Sequence, residues 1–173
     1  MEQCSDPSAH VLIFPAPGQG HVNAMLKLAE LLALAGLKIT FLNFEYIHDN
    51  LVRCTDVEAR FAKYHGFQFK TIPNCWTSDG RAGRSASTVK DILEGTKSKS
   101  KPIFKKMLMD LNNAMPINYI IGDMVMGFVY DVATEVGVPA IQFHTISACS
   151  VLTFFSIPDI VAADELPAEG IKI

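Results

Sequence analysis

The chain has 173 residues, of which 49% are hydrophobic and 19% charged, with a net charge of −3. This composition excludes intrinsic disorder, and the charge gives no global reason to expect nucleic acid or an anionic membrane surface as partner. At this length roughly 70% of the unfolded chain's surface can be buried, so a core forms without disulfides or metal.

His10 to Phe14 is a short apolar, branched run closed by Pro15, and it reads as a buried parallel strand. Pro15 to Gly20 is a loop by composition. Residues 21–35 read as a helix, with Met25, Leu28, Ala29 and Leu32 on one face and Gly36 as its stop. Lys38 to Phe44 is a second strand, which completes a βαβ unit. Residues 47–64 suggest one or two exposed helices. Phe67 to Ile72 alternates as a third strand does. Residues 73–87 form a long loop carrying Trp76, and long loops in compact domains are often functional. A helix from about Thr88 to Asn112 is interrupted or restarted at Pro102. Ile117 to Gly122 is a fourth strand, Phe128 to Val136 a helix closed by Gly137, and Pro139 to Phe143 a fifth strand. Residues 145–157 are an apolar helix.

Strands alternating with helices give an α/β fold, a Rossmann-like doubly wound parallel sheet. Right-handed crossovers favour the strand order 3-2-1-4-5, with the switch point between strands one and four. Ligands bind beyond the carboxyl ends of strands at such a point. The loop after strand one leads to His21 and the loop after strand four begins at Asp123, 102 positions later. The topology alone sets them on neighbouring strand ends.

A histidine at a helix N-terminus beside an acid suits proton removal from a hydroxyl near neutral pH. The competing reading of Asp123 is an N-cap for the helix that follows. Gln19 and Gly20 lie in the same ligand-edge loop and are candidate substrate contacts. Met124, Met126, Phe128 and Phe143 wall an apolar acceptor pocket or are plain core, and Trp76 is a candidate acceptor contact. Gly18-Gln-Gly20 begins a dinucleotide fingerprint, but Asn23 replaces its third glycine, which leaves an NAD-type reading incomplete. His10, His48 and His65 have no metal-ligand spacing and read as surface residues. The lysines between Lys97 and Lys106 read as a solvated helix face. Cys4, Cys54, Cys75 and Cys149 have no CxxC spacing and read as reduced thiols. The start of the chain is polar and acidic, with no signal-peptide pattern, and no apolar run is long enough to cross a membrane. The expectation is a soluble cytoplasmic protein with no stable membrane insertion.

Phe14-Pro-Ala-Pro-Gly-Gln-Gly-His-Val-Asn and the helix after it resemble the opening of plant family 1 UDP-dependent glycosyltransferases. Ile120-Ile-Gly-Asp-Met and Val136-Gly-Val-Pro-Ala-Ile-Gln-Phe-His-Thr145 are similar to later segments of that family. The resemblance covers nearly the whole chain and is nearest to members that glucosylate small terpenoids such as iridoid acids. It implies the N-terminal half of a GT-B fold, so that residues 1–173 form one acceptor-binding domain. His21 would be the base and Asp123 the acid that orients it, in an inverting transfer from a UDP-sugar to a small-molecule acceptor. Thr145 matches a position that touches the donor sugar. No metal and no cofactor other than the UDP-sugar co-substrate is implied. The family's donor-binding signature box is absent, so the chain is expected to be incomplete, inactive alone, and prone to self-association through an exposed cleft face; the alternative is a non-catalytic truncated homologue that binds a small ligand or a partner.

Overall fold

The computed structural model describes residues 9–74 and 86–163, the side chains of residues 86–98 excepted. Trp76 and nearly all of the expected long loop lie outside the described residues. The chain falls into two compact units, one ending at Phe143 and one beginning at His144.

In the first unit the elements are β1 (His10–Phe14), α1 (Gln19–Leu34), β2 (Lys38–Phe44), α2 (Glu45–Cys54), α3 (Val57–Phe61), β3 (Phe67–Ile72), α4 (Ala86–Ala114), β4 (Tyr119–Asp123), α5 (Gly127–Val136) and β5 (Ala140–Phe143). The sheet order is β3-β2-β1-β4-β5, parallel throughout, as handedness requires. Side chains alternate across the sheet. Leu12, Phe14, Leu42, Phe44 and Ile120 face Phe104 and Leu108 of α4 and Phe128, Val129 and Val132 of α5. Val11, Ile13, Ile39 and Phe41 face Val22, Met25 and Ala29 of α1 and Phe61 of α3. Helices therefore cover both faces, and the central strands β1, β2 and β4 are buried on both sides.

The two glycine stops close their helices in the same way. Gly36 and Gly137 have φ of 89° and 80°. Leu37 N–H reaches Leu32 O and Val138 N–H reaches Ala133 O, the six-to-one bond of a left-handed C-terminal cap. A side chain at either position would carry the strain of positive φ.

Three expectations are corrected. α1 begins two residues earlier than its apolar period suggests, because Gln19 and Gly20 form an exposed first turn. α4 runs through Pro102 without stopping. Proline removes one helical hydrogen bond, but burial of Phe104 and Leu108 against the sheet holds the following turns in place. His10 is not a surface residue: it is 2% exposed. Its Nδ1 lies 3.2 Å from the Pro116 carbonyl, its Nε2 lies 2.8 Å from Thr40 Oγ1, and Gln68 donates to that same hydroxyl. The neutral ring with its proton on Nδ1 satisfies every one of these bonds. Burial pushes its pKa below the ordinary histidine value.

Charged pairs tie the outer helices together. Glu30 of α1 is buried and accepts hydrogen bonds from Arg60, Lys27 and Tyr64. The Arg60 bond, followed by that of Lys27, lowers its carboxyl pKa to about 2. Lys101 and Lys105 of α4 pair with Glu135 of α5 at 3.1 and 2.8 Å, which accounts for part of the basic stretch as a solvated face.

The second unit carries α6 (Ala148–Ala162), capped by Ser147, whose Oγ accepts from Ser150 N–H at 3.2 Å. It contains Pro158 and reaches further than the apolar run to residue 157 suggests. No described helix is long and apolar enough to cross a membrane.

Candidate active site

The parallel register sets Phe14 of β1 opposite Gly122 of β4. Each strand then releases its chain at the same edge of the sheet. From Phe14 the chain turns through Pro15–Gly18, where Gly18 N–H bonds Ala16 O at 2.8 Å, and enters α1. His21 is the third residue of that helix. Gly18 lies beneath its ring: a Cβ on residue 18 would stand 3.1 Å from His21 Cδ2. The glycine thus leaves room for the ring to fold back toward β4.

Asp123 is the last residue of β4 and is fully buried, whereas the His21 side chain is 33% exposed. Asp123 Oδ2 accepts from His21 Nδ1 at 2.7 Å. Asp123 Oδ1 accepts from Val125 N–H at 3.2 Å. A carboxylate only accepts, so the shared proton sits on His21 Nδ1, and the lone pair of the neutral ring is on Nε2. Such a ring takes up a proton while keeping a fixed orientation. The N-cap reading of Asp123 is corrected: Met126 holds the cap position of α5. The Asp123 carboxylate instead spans the turn to Val125 and reaches His21.

The remaining candidates divide. Gln19 and Gly20 are exposed at the start of α1. Gln19, Val22 and Asn23 line a cavity of about 400 Å³ against Tyr46, Ile47 and Leu51 of α2. Met124 is half-buried just past Asp123, its N–H on the Phe143 carbonyl at 3.0 Å. Phe143 packs against the cluster on the α1 face of the sheet, while Met126 and Phe128 are core on the opposite face. Thr145 belongs to the second unit. Sequence reasoning missed Gly18 as a site residue, although its place three residues before His21 was the available signal. Among the described residues no group of three His, Cys, Asp or Glu side chains could hold a metal ion.

No protein-family model matches the chain. It is 45% identical over 166 residues to 7-deoxyloganetic acid glucosyltransferase of Catharanthus roseus, a match spanning 93% of this chain and 34% of that enzyme. It is 35% identical over 156 residues to UDP-glycosyltransferase 85A3 of Arabidopsis thaliana, spanning 87% of this chain and 31% of the relative. Among solved structures, Arabidopsis thaliana UGT89C1 complexed with quercetin superposes with a TM-score of 0.72 at 19% identity, over 87% of this chain and 38% of the other. That likeness establishes the fold, the Rossmann-like unit of GT-B glycosyltransferases. The chain is thus a homologue of the plant UDP-glycosyltransferases, matched along nearly all of its own length and about a third of theirs.

Proposed function

We propose that this chain is the acceptor-binding, base-bearing part of an inverting UDP-glucosyltransferase acting on a small plant terpenoid. The observation that carries the reading is the 2.7 Å contact of His21 Nδ1 with Asp123 Oδ2 at the switch point of the sheet. On this reading His21 Nε2 takes the proton of an acceptor hydroxyl. The oxygen attacks the anomeric carbon as the bond from that carbon to the UDP oxygen breaks. UDP leaves with the bonding electrons, and the sugar's configuration inverts. Asp123 keeps the ring oriented and offsets the positive charge that forms on it.

The substrate class draws on the 45% identity to an enzyme named for an iridoid acid. UGT89C1, of the same fold, has been solved with UDP-L-rhamnose and with quercetin, a nucleotide sugar and a small polyphenol. We take Gln19, Gly20, Met124, Phe143, Thr145 and Trp76 to contribute to the substrate sites. The donor is held chiefly by a second domain, for which the longer relatives have the length. Positioning both reactants supplies much of the rate, so this chain by itself is slow. The exposed free thiols of Cys54 and Cys149 suit a reducing compartment, the cytoplasm.

The test is acceptor-dependent release of UDP from UDP-glucose by the purified chain, with and without a donor domain supplied from a full-length relative. Turnover that requires both the acceptor and the supplied domain supports the reading. Absence of turnover in the combined preparation, with the domain shown to bind UDP-glucose, contradicts it.

A further inference from the structure

Gly122, the residue before Asp123, is closely packed. A Cβ there would stand 2.9 Å from Tyr130 Oη, 3.1 Å from Val129 Cγ1 and 3.2 Å from Tyr130 Cζ. Only a residue without a side chain admits the Tyr130 phenol at that point. Tyr130 lies on the first turn of α5 and is half-buried. Its hydroxyl donates to the Gly122 carbonyl at 2.6 Å, and the Asp123 carbonyl lies 3.2 Å away. One phenol therefore grips the two consecutive carbonyls that flank the Asp123 α-carbon.

Among the described residues, two groups donate to the Asp123 carboxylate. Apart from His21, it takes a 3.2 Å bond from Val125 N–H, two residues along the same turn. That bond moves with the turn and fixes the carboxylate only as well as the backbone beneath it is fixed. The Asp123 carbonyl also accepts from Met126 N–H at 3.0 Å. Tyr130 ties this backbone to α5, whose Phe128, Val129 and Val132 are buried against the sheet. Burial, and then the charge of Asp123, push the phenol pKa up, so the hydroxyl keeps its proton and remains a donor.

We infer that Tyr130 is a positioning residue for the Asp123–His21 pair, acting through the Gly122 and Asp123 carbonyls to aim the carboxylate at His21 Nδ1. The catalytic consequence rests on the function proposed above; the geometric one does not. With the carboxylate aimed, the neutral His21 ring keeps its proton on Nδ1 and presents Nε2 to the acceptor. With the carboxylate loosened, the ring spends part of its time with the proton on Nε2, where it is no base toward an acceptor.

The experiment compares the chain with its Tyr130→Phe variant, which keeps the ring and its packing. Nitrogen-15 spectra of the histidine side chains, at a pH where the rings are neutral, read the His21 tautomer. The wild-type chain is expected to hold the Nδ1–H form, and Tyr130→Phe a mixture of the two forms. Gly122→Ala, which displaces the hydroxyl without removing it, is expected to give the same mixture and guards against any single variant failing to fold. In a preparation that turns over UDP-glucose, Tyr130→Phe should lower kcat about 3- to 10-fold, the loss of roughly one hydrogen bond, with the acceptor KM unchanged. A tyrosine that merely staples α5 to β4 would lower stability and leave the His21 tautomer as it was, and that result in a folded variant overturns the inference. Full turnover in His21→Ala would instead overturn the proposed function while the tautomer measurement still decides the role of Tyr130.

Discussion

A neutral imidazole with its proton on Nδ1 has one basic nitrogen left, and in His21 the Asp123 carboxylate selects which one. An acceptor hydroxyl must lose its proton during attack, whereas a carboxylic acid, with a pKa near 4, arrives without one. If His21 is the base, His21→Ala should depress turnover of a hydroxyl acceptor far more than that of a carboxyl acceptor. Equal losses on the two acceptors, measured side by side, would assign His21 to binding. His10 illustrates the opposite case, a buried histidine kept neutral. Its native pKa is lowered, so the unfolded chain binds the proton more readily. Stability from this group is present above the unfolded value near 6.5 and is lost as pH falls from there through the native value. Urea midpoints should therefore drop between pH 7.5 and 5.5, and drop less in His10→Gln. Parallel curves would show that the Thr40–His10–Pro116 chain carries no such linkage. Glu30, held at about 2, behaves the same way in a more acidic window, losing its contribution as pH falls from about 4.5 through about 2.

At the scale of elements, period and punctuation were readable. The short apolar runs ending at Phe14, Phe44 and Ile72 are strands, and Gly36 and Gly137 end the helices that their positions suggest. What stayed hidden depends on contacts distant in sequence. His10 meets Thr40 thirty residues away and Pro116 a further stretch along the chain, so its burial has no local signal. Pro102 misleads for a related reason: packing of Phe104 and Leu108 outweighs a local helix breaker. The Gly122–Tyr130 fit is invisible because glycine at a strand end has many causes. Gly137 gives an element-scale prediction. At φ of 80°, Gly137→Ala should destabilise the fold by about 1 kcal/mol in urea unfolding without altering the His21 environment. A neutral or stabilising effect would mean that the cap relaxes to another geometry.

Over the whole molecule, the site is a product of topology. Two residues 102 positions apart meet because β1 and β4 are adjacent and parallel, and that adjacency followed from alternation and handedness alone. The chemistry was less legible than the place, since strand order says where a ligand sits and not what it is. β5 is an edge strand whose Ile141 is 51% exposed, and within the second unit α6 exposes Leu152, Phe154, Phe155 and Val161. Edge strands and exposed apolar faces promote association. Sedimentation of the purified chain should show self-association that grows with concentration, and a monodisperse monomer at high concentration would contradict this expectation.

The most direct test of the account is the turnover of His21→Ala with a hydroxyl acceptor, in a preparation whose wild-type form transfers glucose. The account predicts a loss of ~10²–10⁴-fold in kcat with acceptor binding little changed, and a smaller loss in Asp123→Ala. Turnover of His21→Ala near that of the wild type would contradict the assignment of the base and leave only the fold.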